Sequence, residues 1–238
     1  MSLSPREFFD EHGYYVFKGA FTEDEVREIR EHFMEMRKKG PKPGDHGGNP
    51  DKGDRDPLNH FPRFINMHKW DPKTEAWHQD PRLTGTAKEL VGDDIELCQT
   101  MLYFKPPGAR GQALHQDHQY IRKYPIIAAW LALDRCDQAN GCIVVIPGSN
   151  KLGILPVRKA DMDESFTSGG SEIPEELAKE RIEMEAGDVL FFGGFTIHGS
   201  YTNQTEDRFR RSFIVHYFAA DTQELPPDQA TMMSVIEK

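Results

Sequence analysis

From Ile95 onward the chain changes period. Ile95, Leu97, Gln99, Met101 and Tyr103 alternate with Glu96, Cys98, Thr100, Leu102 and Phe104 until Lys105-Pro106-Pro107-Gly108 breaks the run. Alternating side chains leave opposite faces of an extended segment, so this period dictates a sheet and excludes a helix. Further short strands are predicted at Ile126 to Leu133, Cys142 to Ile146, Ile182 to Met184, Val189 to Phe192, Thr196 to His198 and Arg211 to Phe218. Most are separated by turn signals such as Ala139-Asn140-Gly141 and Ala186-Gly187-Asp188. Many short strands joined by tight turns close into an all-β barrel or sandwich, with any helices packed outside it.

Helical punctuation precedes that region. Ser4-Pro5 opens a short helix that Gly13 closes, and Tyr14 to Phe17 reads as a strand. Thr22 and Glu25 form a capping box ahead of Val26, Ile29, Phe33 and Met36, which recur at helical spacing up to Gly40. Asp80-Pro81 starts another helix that ends near Gly92. Residues 40–57 are rich in proline and glycine and almost devoid of apolar side chains, which predicts either a lid over a pocket or a solvated, partly disordered insertion. The expected organisation is one domain over 1–238, with helical N-terminal elements in 1–94 and a β core over about 95–220.

Charge and composition exclude several roles. A formal charge of -10 repels phosphate backbones, so nucleic acid is not expected as a general partner. The longest apolar run, Ile126 to Leu133, is far short of the roughly 20 residues that cross a bilayer, and no membrane partner is expected. Met1 to Glu11 lacks a charged segment followed by an apolar one, so the reading is a cytoplasmic protein without a secretory signal. Cys98, Cys136 and Cys142 are odd in number and have no Cys-x-x-Cys spacing, as expected of reduced core thiols rather than a disulfide frame or a zinc cage. Oligomeric state leaves no trace in the sequence.

Ten histidines raise the question of which converge. In Leu114-His115-Gln116-Asp117, His115 and Asp117 leave the same face of an extended segment, and His198 stands at the end of another predicted strand. Two imidazoles and one carboxylate on one side of a metal leave adjacent positions free, the arrangement that non-haem Fe(II) oxygenases require. His78-Gln79-Asp80 is the same tripeptide, but Pro81 follows it, so Asp80 is better explained as a helix N-cap. Downstream, Arg208-Phe209-Arg210-Arg211-Ser212 enters an apolar strand. An arginine buried there needs an anion; a dicarboxylate cosubstrate would supply it, with Ser200 donating a further hydrogen bond.

Met101-Leu102-Tyr103-Phe104-Lys105-Pro106-Pro107-Gly108, His115-Gln116-Asp117, Ala129-Trp130, Asn140 to Ser149, His198-Gly199-Ser200 and Phe209-Arg210-Arg211 together resemble the phytanoyl-CoA dioxygenase family of Fe(II)/2-oxoglutarate oxygenases. The resemblance spans roughly half the chain, from Met101 to about Phe218, and Phe9 to Arg30 is similar to that family's opening strand and helix. It implies a mainly β, double-stranded β-helix fold (a cupin-like jelly roll) with flanking N-terminal helices. Fe(II) would be held by His115, Asp117 and His198, with 2-oxoglutarate and O2 as cosubstrates. It also implies that Arg210, which directly follows the aromatic residue, takes the distal carboxylate of 2-oxoglutarate beside Ser200, in preference to Arg211. Met101, Gln116 and Trp130 would line that pocket. The nearest match to one further basic residue of some relatives is Arg63. Halogenating relatives have a small residue where Asp117 stands, so hydroxylation is the expected outcome.

Blander readings accompany these. Trp130 and Met101 are also expected core fillers, Asn140-Gly141 only a hairpin turn and Lys151 a solvated side chain. The expected partner is a small polar metabolite rather than a CoA thioester. Tyr103, Arg110, His118, Gln119, Tyr120, Lys123 and the 40–57 stretch all fall within reach of a cavity mouth. Two other classes share the barrel: a cupin-like metal isomerase or lyase, which would not need Arg210 and Ser200, and a binding module, which would lack a ligand. Nothing resembles the His-Glu-x-x-His of zinc hydrolases.

Overall fold

The computed structural model describes residues 3–225. Its helices are α1 (Pro5–His12), α2 (Glu23–Lys38), α3 (Pro57–His60), α4 (Pro72–Trp77) and α5 (Pro81–Val91). Its strands are β1 (Tyr14–Phe17), β2 (Asp45–His46), β3 (Arg63–Ile65), β4 (Ile95–Tyr103), β5 (Gln112–His115), β6 (Lys123–Ala132), β7 (Ile143–Val145), β8 (Val157–Lys159), β9 (Gly169–Ser171), β10 (Glu180–Ile182), β11 (Val189–Gly193), β12 (His198–Ser200) and β13 (Ser212–Glu224). A seven-stranded sheet runs β1-β11-β6-β13-β4-β3-β2 and a four-stranded one runs β10-β7-β12-β5, the two walls of a jelly roll. Among the described residues no helix is long and apolar enough to cross a membrane.

The predicted caps do their work. Ser4 with Glu7 and Thr22 with Glu25 form reciprocal capping boxes, and Asp80 caps α5 by accepting from the backbone N–H of Arg82. On α2, Val26, Ile29, Phe33 and Met36 are buried. They pack on the outer face of the large sheet, where Phe33 stacks 5.8 Å from Phe213. A fully buried side chain of this size contributes roughly 1.5–3 kcal/mol. Strands β6 and β13 are apolar almost continuously because both of their faces are covered: Phe213, Val215 and Tyr217 face the helices, whereas Ile214 joins Trp130, Met101, Ile143 and Val145 between the sheets.

Several boundaries differ from the sequence reading. The strand expected at Thr196 to His198 begins only at His198, because Thr196 turns away and donates its hydroxyl to the Gly13 carbonyl at 2.6 Å. The strand expected at Ile182 to Met184 lies at Glu180–Ile182, and Met184 instead bridges Cys136. The N-terminal region is not only helical, since β1, β2 and β3 join the large sheet. The 40–57 stretch supplies β2 at the sheet edge and a 3-10 turn, and Asp56 pins its end to Arg110 at 2.5 Å. Arg110 also donates to the carbonyls of Met162 and Ser165, which ties both rim segments of the cavity together. The expected domain limits, 1 and 238, lie outside the described residues.

Candidate metal centre

The facing strands β5 and β12 pair His115 directly with His198. The close approach requires Gly111, where a Cβ would stand 2.0 Å from the Ser200 carbonyl oxygen. Asp117 follows in the turn after β5, and its Oδ1 lies 3.7 Å from His115 Nε2 and 3.6 Å from His198 Nε2. One ligand atom from each residue falls within 4.8 Å of the others, and all three residues are buried, so the cluster can hold a metal ion. Both imidazoles are preset for this: His115 Nδ1 lies 2.8 Å from the Ala113 carbonyl and His198 Nδ1 lies 2.9 Å from that of Thr196. A carbonyl only accepts, so Nδ1 carries the proton in each ring and the Nε2 lone pair faces the cluster.

Electrostatics favour the metal-ready charge state. Burial raises the Asp117 carboxyl, but the imidazoles of His198 and His216 outweigh it and hold the group well below the usual carboxylate range. Burial, with His115 alongside, pushes His198 down to about 4, which keeps it neutral and able to ligate at physiological pH. The decoy tripeptide is dispersed. His78 caps α4 and lies 3.3 Å from Glu75, while Asp80 pairs with Arg82 at 2.7 Å.

The cluster lines a cavity of about 340 Å³ between the sheets. Met101, Trp130, Ser200 and Arg210 line it. Arg210 is buried and stacks 5.1 Å from Trp130. It donates to the Gly141 carbonyl and to Ser212 Oγ, and among the described residues it pairs with no carboxylate. Its neighbour Arg211 points elsewhere and forks onto Asp134 through two 2.8 Å bonds. Gln116 is a correction: alternation turns it away from His115 and Asp117, and its amide instead braces the chain, donating to Gly153 and Phe195 and accepting from the Leu155 N–H. His118 and Gln119 are buried outside the cavity lining, which Tyr103, Arg110 and Tyr120 share with Arg63.

Four residues were missed by sequence reasoning. Lys105 reads as part of a strand-breaking Lys-Pro-Pro-Gly, yet its left-handed backbone (φ 38°) turns a fully buried ammonium onto Ser200 Oγ at 2.9 Å and onto the Tyr201 carbonyl. Burial, with Arg210 close by, pushes its pKa well below the ordinary lysine value. Gln112 reaches His115 Nε2 at 3.1 Å. His216 lies 3.2 Å from Asp117 Oδ2, and Gln99 approaches the other ring nitrogen of His216 at 3.4 Å. Period-two spacing from Arg210 through Ser212 and Ile214 to His216 was the available signal for His216. Asn140 is more than a hairpin turn. Its buried amide donates to the carbonyls of Arg135 and Phe209 and holds in place the chain that carries Arg210. Gly141, at φ 73°, presents its carbonyl to that arginine at a site where a Cβ would stand 2.4 Å from the Tyr201 oxygen.

Comparison with known proteins fits this architecture. The phytanoyl-CoA dioxygenase (PhyH) family model matches residues 9–212. The peroxisomal phytanoyl-CoA dioxygenase of Homo sapiens is 28% identical over 244 residues, 93% of this chain and 69% of that protein. Among solved structures, EvdO2 from Micromonospora carbonacea var. aurantiaca superposes with a TM-score of 0.79 at 20% identity, over 97% of both chains. The epimerase SnoN, solved with Fe3+, alpha ketoglutarate and nogalamycin RO, gives a TM-score of 0.74 at 19% identity over 94% of this chain and 86% of that one.

Proposed function

Because this chain belongs to the phytanoyl-CoA dioxygenase family of Fe(II)/2-oxoglutarate-dependent oxygenases, we propose that it hydroxylates an unactivated C–H bond of a small metabolite, with 2-oxoglutarate and O2 converted to succinate and CO2 as the alcohol forms. The observation that carries this reading is the meeting, in one cavity, of the His115, Asp117 and His198 cluster with two buried cations, Arg210 and Lys105, that have no carboxylate partner among the described residues. Buried positive charge without an anion is costly, and a dicarboxylate with one end at the metal and the other at Arg210 removes that cost.

Fe(II), bound with 2-oxoglutarate, supplies the oxidising chemistry. This chain's residues do the rest. His115, Asp117 and His198 would hold the metal. Arg210, its guanidinium fixed in advance by Gly141 and Ser212, grips the distal carboxylate with its planar fork. Ser200 turns its hydroxyl to the same anion, and Lys105 behind it stays protonated once a negative charge arrives. Met101, Trp130 and Ile214 form the apolar wall that excludes water. Asp117 would complete the protein's ligand set.

The test is a metabolite screen for stimulated CO2 release, followed by mass analysis of the product under isotopically heavy O2. A product that gains one labelled oxygen atom is expected. A product isomeric with its substrate would contradict hydroxylation, and turnover without succinate would favour a cupin-like isomerase or lyase.

A further expected result concerns His216. If the Gln99 amide donates to Nδ1, the Nε2–H donates to Asp117 Oδ2, which leaves Oδ1 facing the two ligand imidazoles. His216→Phe therefore weakens Fe(II) binding by about 10–100-fold, measured by anaerobic titration, and His216→Gln, which keeps an N–H donor, recovers part of the loss.

A further inference from the structure

Tyr120 stands between solvent and the ligand cluster. The turn after β5 sets its place: the backbone N–H groups of Tyr120 and Ile121 both donate to the Asp117 carbonyl at 2.9 Å, which ties this segment to a ligand of the cluster. The Tyr120 ring packs at a steep angle on the His115 imidazole, with 5.5 Å between centres and 71° between planes. It lines the cavity, yet 44% of the residue is exposed. An aromatic ring that meets both solvent and a ligand imidazole lies on the side from which a substrate arrives. The other oxidisable side chains of the cavity are placed differently. Among the described residues Phe192 is the other aromatic side chain packed on a ligand imidazole, 4.1 Å from His198, but it is buried between the sheets and has no hydroxyl to enrich its ring. Trp130 and Met101 are buried as well, and Trp130 is covered by Arg210 at 5.1 Å. Tyr103 has the Arg63 guanidinium 5.6 Å from its ring centre, and a cation there draws on the electrons of the ring.

We infer that Tyr120 is a self-hydroxylation site: when no substrate covers it, the protein oxidises its own Tyr120 ring beside the phenol hydroxyl and leaves a catechol. The inference rests on the Fe(II)/2-oxoglutarate reading of the site. The step balances with the cosubstrates of that reading. 2-Oxoglutarate gives up two electrons as it loses CO2 and becomes succinate, the ring gives up two more, and O2 takes all four. One oxygen atom ends in succinate and the other in the new hydroxyl, whose proton replaces the hydrogen lost from the ring carbon. A filled, dry cavity suppresses such side reactions, and a substrate lying over Tyr120 shields the ring.

The wild type is loaded with Fe(II) and 2-oxoglutarate without oxygen, so that uptake is seen first, and is then exposed to O2 with no substrate added. Trypsin releases the peptide 111–122, whose single tyrosine is Tyr120. Fragment mass analysis should place one added oxygen atom on Tyr120, and none when 2-oxoglutarate is omitted or in Asp117→Ala. A second measurement needs no turnover. In protein labelled with 3-fluorotyrosine, the fluorine resonance that Tyr120→Phe identifies should shift or broaden on loading with Co(II) and stay in place with Zn(II). No oxygen on Tyr120 after uptake and exposure to O2, oxygen added equally without 2-oxoglutarate, or oxygen on Tyr103 or Phe192 in its place overturns the inference. So does a Tyr120 resonance that Co(II) leaves unchanged. A wild type that takes up no 2-oxoglutarate fails before O2 is admitted, and that result removes the functional reading together with this inference.

Discussion

Arg210→Ala raises the 2-oxoglutarate concentration for half-maximal turnover by roughly 100-fold, whereas Arg211→Ala leaves it nearly unchanged. The two side chains are sequence neighbours and chemically identical, so only their surroundings separate them. Arg210 is buried in the cavity wall, stacked on Trp130 and, among the described residues, without a carboxylate partner. Arg211 is neutralised by Asp134 away from the cavity. Truncating one partner of a buried, hydrogen-bonded charge pair costs about 3–5 kcal/mol, and each ~1.4 kcal/mol is tenfold in affinity. Lys105 remains beside Ser200 and offsets part of that loss, which sets the expectation at the low end of the range. Initial rates at varied 2-oxoglutarate measure it. A stronger effect from Arg211→Ala would reverse the assignment.

Asp117→Ala abolishes turnover and removes the stabilisation that Fe(II) confers on the protein. A ligand that binds only the folded state stabilises it by about 2.7 kcal/mol at 100 times its dissociation constant. For a domain of this size that corresponds to a rise of roughly 5–10 °C in melting midpoint. Asp117 is the carboxylate on which His115, His198 and His216 converge. Without it the remaining imidazoles offer the metal no counter-charge. Differential scanning under anaerobic conditions, with and without Fe(II), should show the shift in the wild type and none in the variant. The shift persisting in Asp117→Ala would place the metal elsewhere.

The fold was legible where a local rule governs each element. Capping boxes at Ser4 and Thr22, the proline-led α5 and the period-two run of β4 follow from neighbours a few residues away in sequence. What escaped depends on contacts between distant segments. The edge strands β2 and β3 are short, and they exist because β4 offers a free side to pair with. The start of β12 is set by Thr196 reaching back to Gly13.

The candidate site divides the same way. His115 and Asp117 share a face by strand alternation, and that same alternation turns Gln116 outward, a consequence the family resemblance alone did not convey. Lys105 was hidden because a Lys-Pro-Pro-Gly sequence signals only a break, while the direction of its side chain depends on a left-handed backbone angle. His216 was hidden by its setting in a strand buried on both faces, where one polar residue gives no sign of which sheet it addresses.

Anaerobic addition of 2-oxoglutarate to the Fe(II)-loaded wild type tests the central claim most directly, through the weak visible charge-transfer absorption of the chelate. The expected result is a band that saturates at one equivalent of each per chain and is absent from His115→Ala. No band in the wild type, or an unchanged band in His115→Ala, would contradict the convergence of His115, Asp117 and His198 on one ferrous ion.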